Sequence, residues 1–556
     1  MKPSYLLHVF SILGMMALLS GCKPSGEQAD VLYVNANIWT GDADQPNASV
    51  IAVKGEHILY VGTDAKLHRD RQTKVVDLGG KMVVPGFIDN HTHFFMGGFQ
   101  LASVDLRSAK TPQEFIRRLA DFARTQPEGR WIQGGDWDHE NWGGELPRKE
   151  WIDSVTARNP VFVNRLDGHM ALVNSLAMKL AGITKSTPEV PGGTIVRDAA
   201  GNPAGVLKDE AMSLVYKVIP DASDTEMDEA LQRAMDHAVS LGVTQVHDVS
   251  SMGGWPDLNT FRRVRSAGKL KLRVYSMVPI STWEKMADYV RQNGRGDDWL
   301  RWGALKGFVD GSLGSTTAWF YDPYLDEPNT SGLLVNDTLQ LRDWILKADS
   351  AGLHVAVHAI GDRANEWLLG VYAEAEALHG RRDRRFRIEH AQHLTRQAIQ
   401  QFAELGVIPS MQPYHAIDDG RWAEKRIGPE RIKTTYAFRS LLDAKANLTF
   451  GSDWTVAPLN PLEGIYAAVT RRTLDDKNPS GWVPQEKISV EEALRCYTKN
   501  NAYAGFQEDK LGLLKAGMLA DFVVLSEDLL KIAPERIREV QVLRTVVGGV
   551  ERYARK

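Results

Sequence analysis

Between residues 82 and 453 short apolar runs alternate with stretches of helical periodicity, an alternation that points to parallel βα units. Eight runs qualify as strands: MVVPGFIDNH (82–91), VTQVHDV (243–249), LRVYSMV (272–278), ALKGFVD (304–310), LHVAVHA (353–359), FRIEH (386–390), VIPSMQP (407–413) and NLTFGSD (447–453). Eight βα units close naturally into a (β/α)8 barrel of the TIM type. The gap from the first strand to the second, about 95–240, is too long for one crossover and must hold an insertion above the barrel mouth. Its own hairpin signal is GGTIVRDAAGNPAGV (192–206).

The two ends read differently. VLYVNANIWTGD, SVIAVKGEHILYVG and KVVDLGG are short β-branched segments between Gly and Asp turns, and DFVVLS and VLRTVVGGVERY close the chain in the same style. They suggest one small β-sandwich built from both termini (31–81 and 501–556), with the barrel at 82–500. Cys496, in EEALRCYTKN, reads as a buried structural thiol. Fifteen tryptophans are present, and Trp137, Trp142, Trp319 and Trp454 fall in apparent loops, where lining an apolar site competes with ordinary packing.

Polar residues collect at the strand ends. Asp89, His91 and His93 close the first run as DNHTH, His358 ends the fifth, His390 the sixth and Asp453 the eighth. In a barrel these ends converge on one face. His91 and His93, two apart, project to the same side of a strand. A single strand-end histidine more often just caps a barrel layer. Four histidines and an aspartate at separate ends in order suit a zinc-like ion, which lowers the pKa of a bound water to about 7.

The segments PGFIDNHTHF, VHAIGD, IEHAQ and GSDW resemble the amidohydrolase superfamily, specifically the amidohydrolase-3 group that includes N-substituted formamide deformylases. The resemblance runs from about residue 31 to 553. It implies a distorted (β/α)8 barrel with one or two zinc-like ions: His91 and His93 on the first, His358 and His390 on the second. Asp453 would touch the first metal and move the proton of the nucleophilic water. A carbamylated (N6-carboxylated) lysine bridges two metals in many relatives, and LKGFVDGSLGS puts Lys306 in that place; the alternative is a plain strand lysine. Asp310 is then an alternative ligand or a support for one.

The same resemblance marks a substrate shell. His169, in LDGHMALVNS, and His415, in MQPYHAIDD, could each hydrogen-bond or polarise a substrate carbonyl, or serve only as loop histidines. Trp319 is a candidate wall. Asp362 and Arg363 either orient His358 or clamp a substrate acid. Many relatives carry Arg where this chain has Thr316, so no relative's substrate transfers directly.

Residues Tyr5 to Leu19 form an apolar core behind Lys2, short for a bilayer span but suited to a signal peptide. Leu19-Ser20-Gly21-Cys22 resembles a bacterial lipobox. The expectation is a leader (1–21), a lipid on Cys22 and a tether (22–30), placing the protein at the outer membrane facing the periplasm; an ordinary signal peptide is the alternative. A net charge of −4 argues against a nucleic-acid partner, leaving a small-molecule substrate and the membrane. Together the residues suggest a metal-dependent hydrolase of a carbon–nitrogen bond (amide, N-acyl or N-formyl). A deaminase, an ester or lactone hydrolase, and a non-catalytic lipid-anchored binding protein are the alternatives.

Overall fold

A computed structural model describes residues 27–165, 170–190, 193–250 and 253–556. The eight barrel strands are β1 (Phe87–Thr92), β2 (Val243–Asp248), β3 (Arg273–Pro279), β4 (Leu300–Phe308), β5 (His354–Ala359), β6 (Arg387–His390), β7 (Ile408–Met411) and β8 (Thr449–Phe450). They pair in sequence order, all parallel. This is the α/β barrel the alternation predicts. Val, Ile and Leu on the outer faces pack against the surrounding helices, such as Asp362–His379, in one large core.

The seam between β8 and β1 closes through main chain. Asp453 N donates to His91 O at 2.8 Å and His93 N to Trp454 O at 2.7 Å. From below, Asn501 Nδ2 donates to the carbonyls of Ile88 and Phe450, tying both seam strands to the helix Lys499–Ala504. Gly451 permits this approach: a Cβ there would lie 2.6 Å from both His91 N and Asn90 Oδ1. Gly451→Ala is therefore expected to cost about 1–3 kcal/mol by overpacking, read as a lower midpoint in thermal denaturation. An unchanged midpoint would mean that the seam yields.

A second, sheet-rich unit lies beside the barrel. Strands Val31–Val34, Val50–Lys54, His57–Gly62 and Lys74–Asp77 form one sheet. Asn37–Trp39, Asn47–Ala48, Met82–Pro85, Phe522–Leu525, Val542–Val547 and Val550–Ala554 form the other. Tyr33, Ile51 and Ile58 of the first share a core with Val83, Phe522 and Val546 of the second. The single strand expected over 82–91 is thus two. Met82–Pro85 pairs with Phe522–Leu525 in the sandwich, and the chain enters the barrel after Gly86, where a Cβ would collide with Thr244 Oγ1 at 2.2 Å. A buried Arg273–Asp521 ion pair, with contacts of 2.8 and 2.9 Å, joins the two units.

The insertion after β1 carries a six-stranded mixed sheet between Val104 and Asp209, including the antiparallel pair Gly193–Arg197 and Pro203–Asp209. Trp137 is fully buried there, its Nε1 donating to Val163 O, and Trp142 packs on the same core. These two tryptophans serve packing, not a substrate wall. Cys496 is buried and its thiol pKa is pushed up by that burial. Among the described residues, no helix is long and apolar enough to cross a membrane. Cys22 and His169 lie outside the described residues.

Candidate active site

Parallel strands deliver their C-terminal ends to one mouth, and there the imidazoles meet. Ring centroids are 5.9 Å apart for His91 and His93, 4.8 Å for His91 and His390, and 4.5 Å for His358 and His390. Asp453 sits among them, its Oδ1 3.6 Å from His91 Nε2 and 3.3 Å from His93 Nε2. Two turns aim these groups through left-handed backbone, at His390 (φ 72°) and Asp453 (φ 60°). Such conformations are strained for non-glycine residues and gather at functional sites.

Each of the four histidines gives up one nitrogen to an oxygen of the scaffold. His91 Nδ1 donates to the buried Glu389 carboxylate, and His93 Nδ1 to Ser250 O at 3.3 Å. His358 Nε2 donates to Gly311 O at 2.9 Å, and His390 Nδ1 to Gln412 Oε1 at 2.7 Å. That leaves the opposite nitrogen of each ring facing the centre, a lone-pair donor whenever the ring is neutral. Burial, with the Lys306 amine adding to it, lowers the pKa of His91 to about 4 and of His358 to about 3. Burial also holds His390 well below its ordinary value. These three rings are neutral at pH 7, the form a metal requires.

Burial alone would raise the Asp453 carboxyl, but His93 and then His91, His390 and His415 hold it well below the usual carboxylate range. Its Oδ1 is buried without a hydrogen-bond partner. Ligand atoms of His91, His93 and Asp453 lie within 4.8 Å of one another, as do those of His390, His415 and Asp453. Imidazole nitrogens around an orphaned carboxylate oxygen fit a divalent cation of the zinc type. Lys306, on β4, reaches the same centre, with Nζ 3.5 Å from His91 Nε2 and 4.9 Å from the Phe308 ring centroid. Burial lowers its pKa to about 8.

Other expected residues fall in different places. His415, expected only near substrate, has its Nε2 buried, unpartnered and 3.9 Å from Asp453 Oδ2. Asp89 turns back to the seam, its Oδ1 accepting from His91 N (3.1 Å) and Ser452 N (3.0 Å).

Asp310 is committed elsewhere than to a metal. Its carboxylate accepts from the amides of Trp319, Ile360 and Gly361 at 2.7–2.9 Å, while His358 Nε2 stays 3.7 Å away. It clamps the loop after β4 to the exit of β5. Trp319, fixed by that clamp, stacks under the exposed guanidinium of Arg363 at 4.4 Å. Asp362 accepts from Tyr321 N at 3.0 Å rather than from His358. Thr316 Oγ1 accepts from Arg426 Nη1, so a guanidinium does reach this position, from another segment.

Sequence reasoning missed the carboxylate behind His91. Glu389 and Arg387 flank Ile388 on β6, so alternation puts both on one face. That this face is the barrel interior follows only from the fold, where Arg387 reaches Asn90 O on β1 and Glu389 meets His91. Arg387 ends the basic run RRDRRFR (381–387), which by composition resembles a solvated patch, yet it is fully buried.

A parallel barrel whose mouth gathers neutral imidazoles, an ionised carboxylate and a buried amine defines a hydrolase built to hold metal. Residues 74–553 match the profile of the Amidohydrolase family, and the chain belongs to that family. It is 43% identical over 548 residues to protein LONG AFTER FAR-RED 3 of Arabidopsis thaliana, covering 96% of this chain and 94% of that one. It is 31% identical over 551 residues to the N-substituted formamide deformylase of Arthrobacter pascens, covering 95% and 99%. An uncharacterized metal-dependent hydrolase from Pyrococcus furiosus superposes with a TM-score of 0.76 at 31% identity, covering 90% of this chain and 100% of that structure.

Proposed function

We propose that this hydrolase cleaves a non-peptide carbon–nitrogen bond, an amide of the N-acyl or N-formyl kind, with two zinc-like ions. The observation that carries the reading is the set of four histidines, each with one nitrogen pinned to a scaffold oxygen, around the free Oδ1 of Asp453. His91 and His93 would hold one ion with Asp453, His358 and His390 the other, and Lys306, carboxylated on Nζ, would bridge them. When bound, the metal supplies a Lewis acid for the substrate carbonyl and an acidified water.

Asp453 accepts the proton of the attacking water and returns it to the departing nitrogen. His415, through its unpartnered Nε2, holds the carbonyl oxygen as negative charge builds on it. Because the Arthrobacter relative is an N-substituted formamide deformylase, formamides are the first substrates to try. We also propose that a lipid on Cys22 holds the enzyme to the membrane, a reading that rests on the apolar leader and its Leu19–Cys22 ending.

Elemental analysis of protein purified without its anchor tests the centre. About two ions per chain are expected, with N-acyl or formamide hydrolysis lost on chelation and regained on adding zinc and bicarbonate. One ion would replace the bridged centre by a single-metal one and bring deaminase substrates forward. No bound ion, even after metal and bicarbonate are supplied, would sink the proposal.

A further inference from the structure

The interior of this barrel is not the apolar packing of layered branched side chains common in the fold. Directly beneath the metal-type ligands lies a buried ion pair. Arg387 Nε and Nη2 donate to the two oxygens of Glu389 at 2.7 and 3.0 Å, and neither side chain is exposed. Glu389 also accepts from Ser410 Oγ at 2.7 Å and from His91 Nδ1. Arg387 reaches further, to Asn90 O on β1 at 2.6 Å and to His247 Nδ1 on β2 at 2.9 Å. One pair thus binds four strands across the lumen.

We propose that Glu389 is a positioning residue for metal binding: it fixes His91 with its Nε2 lone pair toward the centre, and Arg387 in turn fixes Glu389. The inference rests on the reading of His91 as a metal ligand and adds the group that sets its tautomer and direction. A stability role alone would be served better by apolar side chains, because desolvating two charges offsets most of their attraction. What the pair supplies, and an apolar pair would not, is an acceptor held in one place opposite His91 Nδ1. The carboxylate needs Arg387 because the two-pronged guanidinium contact holds both of its oxygens in place and compensates a charge that would be costly to bury alone. A ligand histidine whose second nitrogen is so held keeps its orientation and gains basicity.

The test is zinc affinity, measured on full-length protein by competition with a chromogenic chelator, with circular dichroism to establish that each variant is folded. Glu389→Gln is expected to weaken zinc binding by about 10–100-fold. That variant strands the Arg387 charge and could fail to fold. The double variant Arg387→Met/Glu389→Gln removes both charges, and the same loss of affinity is expected from it in a folded protein. Affinity within about twofold of wild type in either folded variant would overturn the inference, reducing the pair to a core strut. Wild-type protein that takes up no zinc would remove the functional reading along with this one; wild-type uptake matched by the variants removes this one alone.

Discussion

Asp453→Asn is expected to reduce kcat/KM on an N-acyl or formamide substrate by about 10²–10⁴-fold, the range for losing a positioned proton carrier. Asn keeps the size of the side chain and an oxygen toward His93, and the backbone bond from residue 453 to His91 O, which closes the seam, is untouched. Zinc should therefore remain largely bound. The carboxylate sits well below the usual range because the surrounding imidazoles outweigh its burial, so wild type has its base ionised throughout neutral pH. Asn has no ionised form to recover, and raising the pH to 9 should not restore turnover. Parallel metal analysis and steady-state kinetics on the same preparation check this. Undiminished hydrolysis with Asn at 453 would remove Asp453 from the chemistry. Loss of zinc in step with activity would assign it to the metal instead.

The eight-strand frame and its strand-end histidines were legible for one reason. In a parallel barrel, chemistry gathers at the carboxyl ends of strands, so chain position becomes spatial position. What lay one step behind those ends was harder to read. Asp89 shares parity with His91 and His93, yet its carboxylate bonds to Ser452 N across the seam, a contact that exists only once β8 closes on β1. Asp310 falls four residues beyond Lys306 and suggested a ligand; its three amide partners come from two loops that meet only in the folded chain. The break at Gly86 was hidden because MVVPGFIDNH is apolar on both sides of the glycine. Only pairing partners, Phe522–Leu525 on one side and β2 on the other, divide it. Strand periodicity puts Glu389 and Arg387 on one face, but His390 falls on the opposite parity and leaves the strand through left-handed backbone (φ 72°), so alternation alone could not show that the charged pair faces inward.

Lys306→Met is expected to cost the protein its second zinc while making the empty protein more stable. The Nζ of Lys306 lies in a buried centre, 3.5 Å from His91 Nε2, and burial lowers its pKa from 10.5 to about 8. At about 1.36 kcal/mol per unit, holding the charged amine there at pH 7 costs about 3 kcal/mol. Methionine occupies a similar volume with no charge to desolvate, so protein stripped of metal and bicarbonate should gain stability of that order in denaturant titrations at pH 7. The sign with pH follows from proton counts. Between pH 8 and 10.5 the unfolded wild-type chain binds more protons at this lysine than the folded one, so wild-type stability rises across that window. Subtracting the Lys306→Met curve isolates the rise, and the advantage of the variant should fade by pH 10.5. With zinc and bicarbonate supplied, the ranking reverses: wild type takes up about two ions and the variant about one, because methionine cannot carry the bridging carboxylate. A variant equal to wild type in both stability and zinc content would make Lys306 an ordinary strand lysine and leave the two-metal reading without its bridge.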